Sequence, residues 1–282
     1  MDTVLLVDYS NTLIRSISVN KHLWGPNGEF TGGVYGVFTQ LMLSFRTFKP
    51  THVLICADSK PYLREKEFPG YKGDRKKYAD DDFDFYKCLK QSTELLDELF
   101  GLLGIPTWSI AGLEADDLIA SAVQSLEYTT CVLKSNDTDL NQLLSYSGVV
   151  INKKSKFATR LDAYGPDEFK TEFPKISPSD WVEYTAMVGT HNGVPGIKGI
   201  GPATAAKYLN NEELYEEFKS YHIQALNKKW DLIKLPFPLY GKSIRIPTPK
   251  RPSSNYRQLL GFLDTLGITF TNKMRETLED FN

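Results

Sequence analysis

The sequence predicts an α/β protein built on a mostly parallel central sheet flanked by helices. Three observations carry this. Short apolar runs recur along the first half of the chain, helical patterns lie between several of them, and acidic residues fall where the runs end. Alternating strand and helix implies crossover connections, which cover a parallel sheet on both faces.

The strand candidates are TVLLVD (3–8), THVLICAD (51–58), IPTWSIA (105–111), TTCVLKS (129–135) and GVVIN (148–152). VYGVFTQLMLSF, DFYKCLKQSTELLDELFGLLG and ADDLIASAVQSL read as helices from the spacing of their apolar residues. After about Pro178 the texture turns helical, and KSIRIP (242–247) is the next strand candidate. The Pro-rich, basic piece IPTPKRPSSNYR (246–257) reads as a surface loop before a last helix. The expected division is therefore an α/β unit over 1–178 and a helical region over 179–282.

A chain of 282 residues that is 41% apolar and 24% charged suits one large domain or two smaller ones. The N-terminal stretch MDTVLLVDYS has no basic region followed by a long apolar one, and no run approaches the ~18 apolar residues of a membrane span. The expectation is a cytoplasmic protein, in a bacterium or a phage-infected host, with no membrane partner. Cys56, Cys88 and Cys131 are widely spaced and read as reduced core thiols. Four histidines without paired spacing argue against a zinc site and for oxygen ligands, which points to magnesium or manganese. A formal net charge of −2 excludes a uniformly basic nucleic-acid binder, but Lys60, Arg64, Lys66, Lys72, Arg75, Lys76 and Lys77 fall in one stretch.

The acids are placed with more order than the total suggests. Asp8 and Asp58 end the first two strands, Glu114, Asp116 and Asp117 follow the third, and Asp137 and Asp139 follow the fourth. Ligand sites in open parallel sheets lie outside the carboxyl ends of the strands, so seven carboxylates converge on one edge. Such a cluster does not stay ionised without cations. A pair of ions there, ~3.5–4 Å apart, would activate a water and stabilise the leaving oxygen of a phosphodiester. Taken singly, each acid is better read as part of a solvated loop; four strand ends all delivering acid are harder to explain that way.

REKEFPGYKGDRKK (64–77) mixes basic residues with Phe68 and Tyr71, as expected where phosphates are neutralised and a base stacks on a ring. The acids of DDDFD (80–84) behind it read as a helix start or a solvated face. In GVPGIKGIGPATAAKYL (193–209), closely spaced glycines open onto a helix. That leaves backbone amides free at its N-terminus and suits a hairpin gripping a DNA backbone without reading bases.

Together the motifs LLVDYSNTLIR, ADSKPYLREKEFPGYKGDR, GLEADDLIAS, SNDTDLNQLL and VPGIKGIGPATA, in this order over about residues 3–210, resemble the flap endonuclease and 5′-exonuclease family, particularly its phage and bacterial members. The resemblance implies a PIN-like nuclease domain over 1–178, with a helical arch around 60–95 through which a 5′ single strand passes. It also implies a helix-hairpin-helix at about 185–209, within a helical DNA-binding region over 179–282. By the same resemblance Asp8, Asp58, Glu114 and Asp116 are ligands of a first metal, and Asp117, Asp137 and Asp139 are shared with or belong to a second. Lys72 contacts the scissile phosphate, Arg75 assists it, and Lys72, Arg75 and Asp116 are the catalytic set. Arg64, Tyr71, Lys72, Arg75, Gly196, Lys198, Gly199 and Gly201 are the implied DNA contacts, and a potassium ion is implied at the hairpin near Gly196–Gly201.

The activity so implied is metal-dependent hydrolysis of phosphodiesters near 5′ single-strand/duplex junctions, as in primer or flap removal. The implied substrate is DNA with a 5′ flap or 5′ end, or an RNA–DNA hybrid. The protein is expected to be a monomer; its replication partners are not indicated.

One departure stands out. Where the family carries two acids before the hairpin, this chain reads MVGTHNGVPG, with Thr190, His191 and Asn192. Hard cations lose affinity when carboxylate charge is removed, so the expectation is one firm site and a weaker second. Two other readings compete. A junction-binding protein that has lost its chemistry is favoured by the missing acids and disfavoured by the seven that remain. A phosphohydrolase with Asp8 as nucleophile has Ser10 in place of the second acid of its D-x-D-x-T motif and leaves the Gly-rich hairpin unexplained.

Overall fold

The first strand, β1 (Thr3–Asp8), buries both of its faces, with Val4 and Leu6 in one core layer and Leu5 and Val7 in the other. A strand apolar on both sides belongs in the middle of a sheet covered by helices, and that is its place in this computed structural model, which describes residues 2–72, 83–157, 162–190, 193–253 and 255–280. The other strands are β2 (His52–Cys56), β3 (Thr107–Trp108), β4 (Thr130–Lys134), β5 (Val149–Asn152) and β6 (Ala163–Tyr164). They lie in the order β3-β2-β1-β4-β5-β6, with β6 antiparallel and the rest parallel. Chain order runs outward in both directions from β1, so the crevice at the carboxyl ends of β1 and β4 is the topological switch point.

Helices α1 (Tyr9–Val19), α2 (Gly32–Phe48) and α4 (Phe85–Leu102) cover one face, while the short α3 (Leu63–Glu67) follows β2. The other face carries α5 (Ala115–Ser125), α6 (Pro166–Glu172), α7 (Trp181–Val188), α8 (Pro202–Leu209) and α9 (Glu212–Ile233). The chain then returns to the first face with α10 (Tyr256–Thr265) and α11 (Asn272–Glu279), whose Leu259, Phe262, Leu263 and Leu278 pack in the same layer as Phe38 and Phe45 of α2. Both the helical region and the sheet contribute to each layer.

The five expected strands are present, β1 with its expected bounds and the other four shortened at their ends. β6 was not anticipated, because two residues carry no periodicity. The candidate KSIRIP forms no strand; Pro247 and Pro249 lack the N–H that a ladder needs. An isolated bridge instead joins Lys250 to Val53, through Val53 N–H donating to the Lys250 carbonyl at 2.8 Å. Asp84 does start a helix, accepting from the Lys87 amide at 2.9 Å as the cap of α4; Asp80, Asp81 and Asp82 lie outside the described residues. All three cysteines are buried and unbridged. Among the described residues no helix is long and apolar enough to cross a membrane.

Candidate metal centre and nucleic-acid interface

The carboxyl ends of β1, β2 and β4 and the N-terminus of α5 meet at the switch point and bring their acids with them. Asp8 ends β1 and caps α1, accepting from the Asn11 amide at 3.0 Å and from Ser135 Oγ at 2.8 Å. Burial, and then Asp58 nearby, push its carboxyl up to about 7, against the lowering effect of those two hydrogen bonds. Asp58, two residues beyond β2, accepts from the Ala115 amide at 2.7 Å and so ties β2 to the first turn of α5. Asp137 caps the 3-10 turn Thr138–Ser145 through the Asp139 amide. That turn carries Asp139, itself buried.

The three acids of GLEADDLIAS behave differently from one another. Asp117 is fully buried, and the Arg64 guanidinium holds it at both oxygens, at 2.6 and 2.7 Å. The amides of Glu114 and Phe237 also donate to it. Glu114, the cap of α5, receives Arg64 Nη1 at 3.2 Å, the Tyr71 hydroxyl at 3.1 Å and the Lys72 ammonium. Asp116 has a buried Oδ1 with no partner. Burial and the Asp117 charge raise its pKa well above the ordinary carboxylate value, while Arg64 and Lys72 oppose the rise.

A buried carboxylate oxygen without a donor is costly unless something cationic completes it. Oxygens of Glu114, Asp116 and Asp117 lie within 4.8 Å of one another, and the positive end of α5 faces them. Hard oxygen donors fit a divalent ion; Asp116 offers the open atom, while both Asp117 oxygens are already held by Arg64.

At the base of α3, Arg64 donates through Nε and Nη2 to the carbonyls of Leu232 and Lys234, and its guanidinium lies 4.8 Å over the Phe237 ring. Gln142 bridges the same strap, donating to the Ile233 carbonyl and accepting from the Leu235 amide. The segment after α9 is thereby stitched to the acidic centre. Farther along, the Gly-rich turn joins α7 to α8. The Ile197 amide donates to the Met187 carbonyl at 2.7 Å, and Gly201 caps α8 with Pro202 in its first turn. Lys198 is exposed there.

The family model described as "5′-3′ exonuclease, N-terminal resolvase-like domain" matches residues 3–174, well over half of the chain. The chain belongs to this 5′-3′ exonuclease family. Among its relatives, the thermostable DNA polymerase I of Thermus aquaticus is 28% identical over 284 residues, an alignment covering 93% of this chain but 32% of the polymerase. The 5′-3′ exonuclease of Aquifex aeolicus is 28% identical over 242 residues, covering 84% of this chain and 76% of the relative. The DNA polymerase I of Deinococcus radiodurans is 31% identical over 224 residues, covering 76% of this chain and 22% of that protein. The chain thus spans only about a fifth to a third of the length of these polymerases.

Two solved structures share the fold. The T5 5′-exonuclease with bound divalent zinc ions has a TM-score of 0.63 at 18% identity, covering 99% of this chain and 100% of its own. The flap endonuclease-1 of Methanococcus jannaschii has a TM-score of 0.58 at 17% identity, covering 99% and 93%.

Within this 5′-3′ exonuclease fold, two of the expected DNA contacts, Arg64 and Tyr71, are turned inward. Arg64 is 2% exposed and saturated by Asp117, Glu114 and the strap carbonyls, and Tyr71 is 4% exposed with its hydroxyl on Glu114. Both side chains hold buried acids, Arg64 through Asp117 and Glu114 and Tyr71 through Glu114. Lys72 sits at the surface end of the same group, its ammonium on Glu114 and 5.1 Å from the ring centroids of Tyr62 and Tyr71. Arg75, His191 and Asn192 lie outside the described residues.

The sequence reading missed Ser135, Gln142 and the strap 232–237. Ser135 sits two residues before Asp137 inside a motif already noted. Gln142 lies in the same motif, but its strap partners, like those of residues 232–237, are some 90 to 170 residues away in the chain, so nothing local marks the link.

Proposed function

We propose that this protein is a structure-specific 5′ nuclease, hydrolysing phosphodiesters near the junction of a 5′ single strand and duplex DNA with magnesium or manganese. The observation that carries the reading is the unpartnered, buried Asp116 oxygen, set among acids at the switch point with the Lys72 ammonium beside it. Glu114 and Asp116, with Asp8 and Asp58, would hold the firmer ion, and Asp137 and Asp139 a weaker one. Two features support that asymmetry: Arg64 already occupies Asp117, and Thr190, His191 and Asn192 supply no acid before the hairpin. A bound divalent ion supplies Lewis acidity to a water and to the phosphate.

The chain's own residues do the rest. Asp8 and Asp58 are held in place by Asn11, Ser135 and Ala115, so the acids are preorganised before substrate arrives. Lys72, pinned between Glu114 and two tyrosine rings, is placed to meet the charge that grows on the phosphate; Arg75 is assigned the same duty from the motif. Residues 1–178, with the arch at 60–95, carry the chemistry. Residues 179–282 grip the duplex, through Gly196, Lys198, Gly199 and Gly201 of the hairpin. Removal of primers or flaps in replication is the proposed role, supported by relatives named 5′-3′ exonuclease and DNA polymerase I.

The test is cleavage of a 5′-flap DNA by wild type and Asp116→Ala across a magnesium and manganese titration. Metal-dependent cutting near the junction, lost in the variant, is expected. Flap binding without cutting at any metal level would instead support the second reading, a junction-binding protein, which the acid-free segment before the hairpin favours.

A further inference from the structure

Away from the acidic centre, the Gly-rich turn holds a charge contact of its own. The carbonyls of Pro195 and Gly196 both accept from Lys229 Nζ, the latter at 3.3 Å. Lys229 lies on α9, which packs against both α7 and α8 and so backs the whole hairpin. The lysine is part-buried. Consecutive carbonyls aimed at one point concentrate negative partial charge and need a donor or a cation between them. The turn cannot rotate to relieve them: a Cβ on Gly196 would lie 2.4 Å from the Val188 carbonyl oxygen, and the Ile197 amide is committed to Met187.

We propose that Lys229 is the built-in cation of the hairpin. Its ammonium fills the carbonyl seat that a free monovalent ion would otherwise take, and fixes the turn in the form that meets the duplex backbone. Duplex affinity is then indifferent to which monovalent cation is in solution. The potassium ion implied by the family resemblance has no vacancy at Pro195 and Gly196. The inference rests on the reading of residues 179–282 as the duplex-gripping region.

The test compares wild type with Lys229→Met, which keeps most of the aliphatic stem and removes the charge. Binding of a 5′-flap duplex is measured in EDTA, in potassium, sodium and choline chlorides of equal ionic strength, so that screening is matched. Wild type should bind alike in all three, within roughly twofold, and the variant should lose about tenfold in choline chloride, the scale of one charge-assisted contact. Potassium should restore part of that loss. A wild-type affinity already several-fold higher in potassium overturns the assignment, as does a variant indistinguishable from wild type in every salt.

Absence of DNA binding by wild type in all salts counts against the duplex-gripping reading itself. Amide exchange across residues 193–201 of the DNA-free protein then decides the lysine's role. Faster exchange in the variant, slowed again by potassium, supports the built-in cation, and equal exchange overturns it. Exchange at the β1 and β4 amides, followed alongside, separates a loosened turn from an unfolded variant, because only unfolding would expose the sheet.

Discussion

Arg64 grips Asp117 with two parallel hydrogen bonds, at 2.6 and 2.7 Å, in a place where neither side chain meets solvent. Burial opposes the guanidinium charge, but Asp117 and Asp116 more than offset it and raise its pKa. The same guanidinium reaches Glu114 and the carbonyls of Leu232 and Lys234, so one side chain joins α3, the head of α5 and the end of α9.

Removing one partner of a buried ion pair strands the other's charge, at a cost of ~3–5 kcal/mol. Arg64→Met should therefore lower the unfolding free energy by about that amount, read from urea midpoints. Adding Asp117→Asn to that variant should recover part of the loss, since the stranded charge is gone. An Arg64→Met protein as stable as wild type would mean that the fork does not anchor these elements.

Asp116 is the reverse case: an acid whose surroundings do not satisfy it. Its free oxygen and its raised pKa mark a site that is destabilised until a cation arrives. Asp116→Asn should raise stability in EDTA by about 1–2 kcal/mol, the usual gain when a functional group held under electrostatic strain is neutralised. The wild type should gain about 2.7 kcal/mol at manganese a hundredfold above Kd, and the variant little. Thermal melts with and without manganese separate the two effects. A variant less stable than wild type in EDTA would show that the Asp116 charge is already compensated.

Acidity should act on the metal-free protein in an unusual direction for a carboxylate. The Asp8 pKa rises from its ordinary 3.8 to about 7, by burial and then by Asp58. Between those values the folded protein keeps a proton that the unfolded chain has released. Stability is thus greatest below the lower value and falls as pH rises through the window, by at most ~1.4 kcal/mol per pH unit for one group. Asp116, raised for a related reason, adds to the slope. Urea midpoints in EDTA should fall from pH 4 toward 7, and Asp8→Asn should flatten the fall. Saturating magnesium should also flatten it, because the ion displaces the proton. A midpoint that climbs with pH in EDTA would refute the burial of Asp8.

The central strands and the acids at their ends were legible because both are local. Val4 to Val7 form an unbroken apolar run, and Asp8, Glu114 and Asp137 each follow such a run within a few residues. What local pattern did not disclose was which acids are free. Glu114, Asp116 and Asp117 look alike in sequence, yet Arg64 claims Asp117 from 53 residues away and Phe237 adds its amide from 120. Within the basic stretch the inward partners were equally illegible. Arg64 and Tyr71 read as partners of phosphate and base, whereas the fold turns them inward to serve acids that the sequence places far off.

The hairpin offers a sharper comparison, because two of its glycines differ only in their surroundings. A Cβ at Gly196 would sit 2.4 Å from the Val188 carbonyl oxygen and 2.6 Å from that of Met187, both on rigid backbone at the end of α7. At Gly201, which caps α8 with an extended φ of −99°, a Cβ would meet nothing within 4 Å. Gly196→Ala must push the turn away from α7, break the Ile197 to Met187 hydrogen bond and shift the carbonyls that hold Lys229. Its cost should be about 1–3 kcal/mol, as for overpacking elsewhere, together with weaker duplex binding. Gly201→Ala should lose ~1 kcal/mol or less, from the poorer cap alone, and keep its DNA affinity. Unfolding and duplex-binding titrations of the two variants side by side check this. Equal losses at both positions would mean that close contact with α7 is not what shapes the turn.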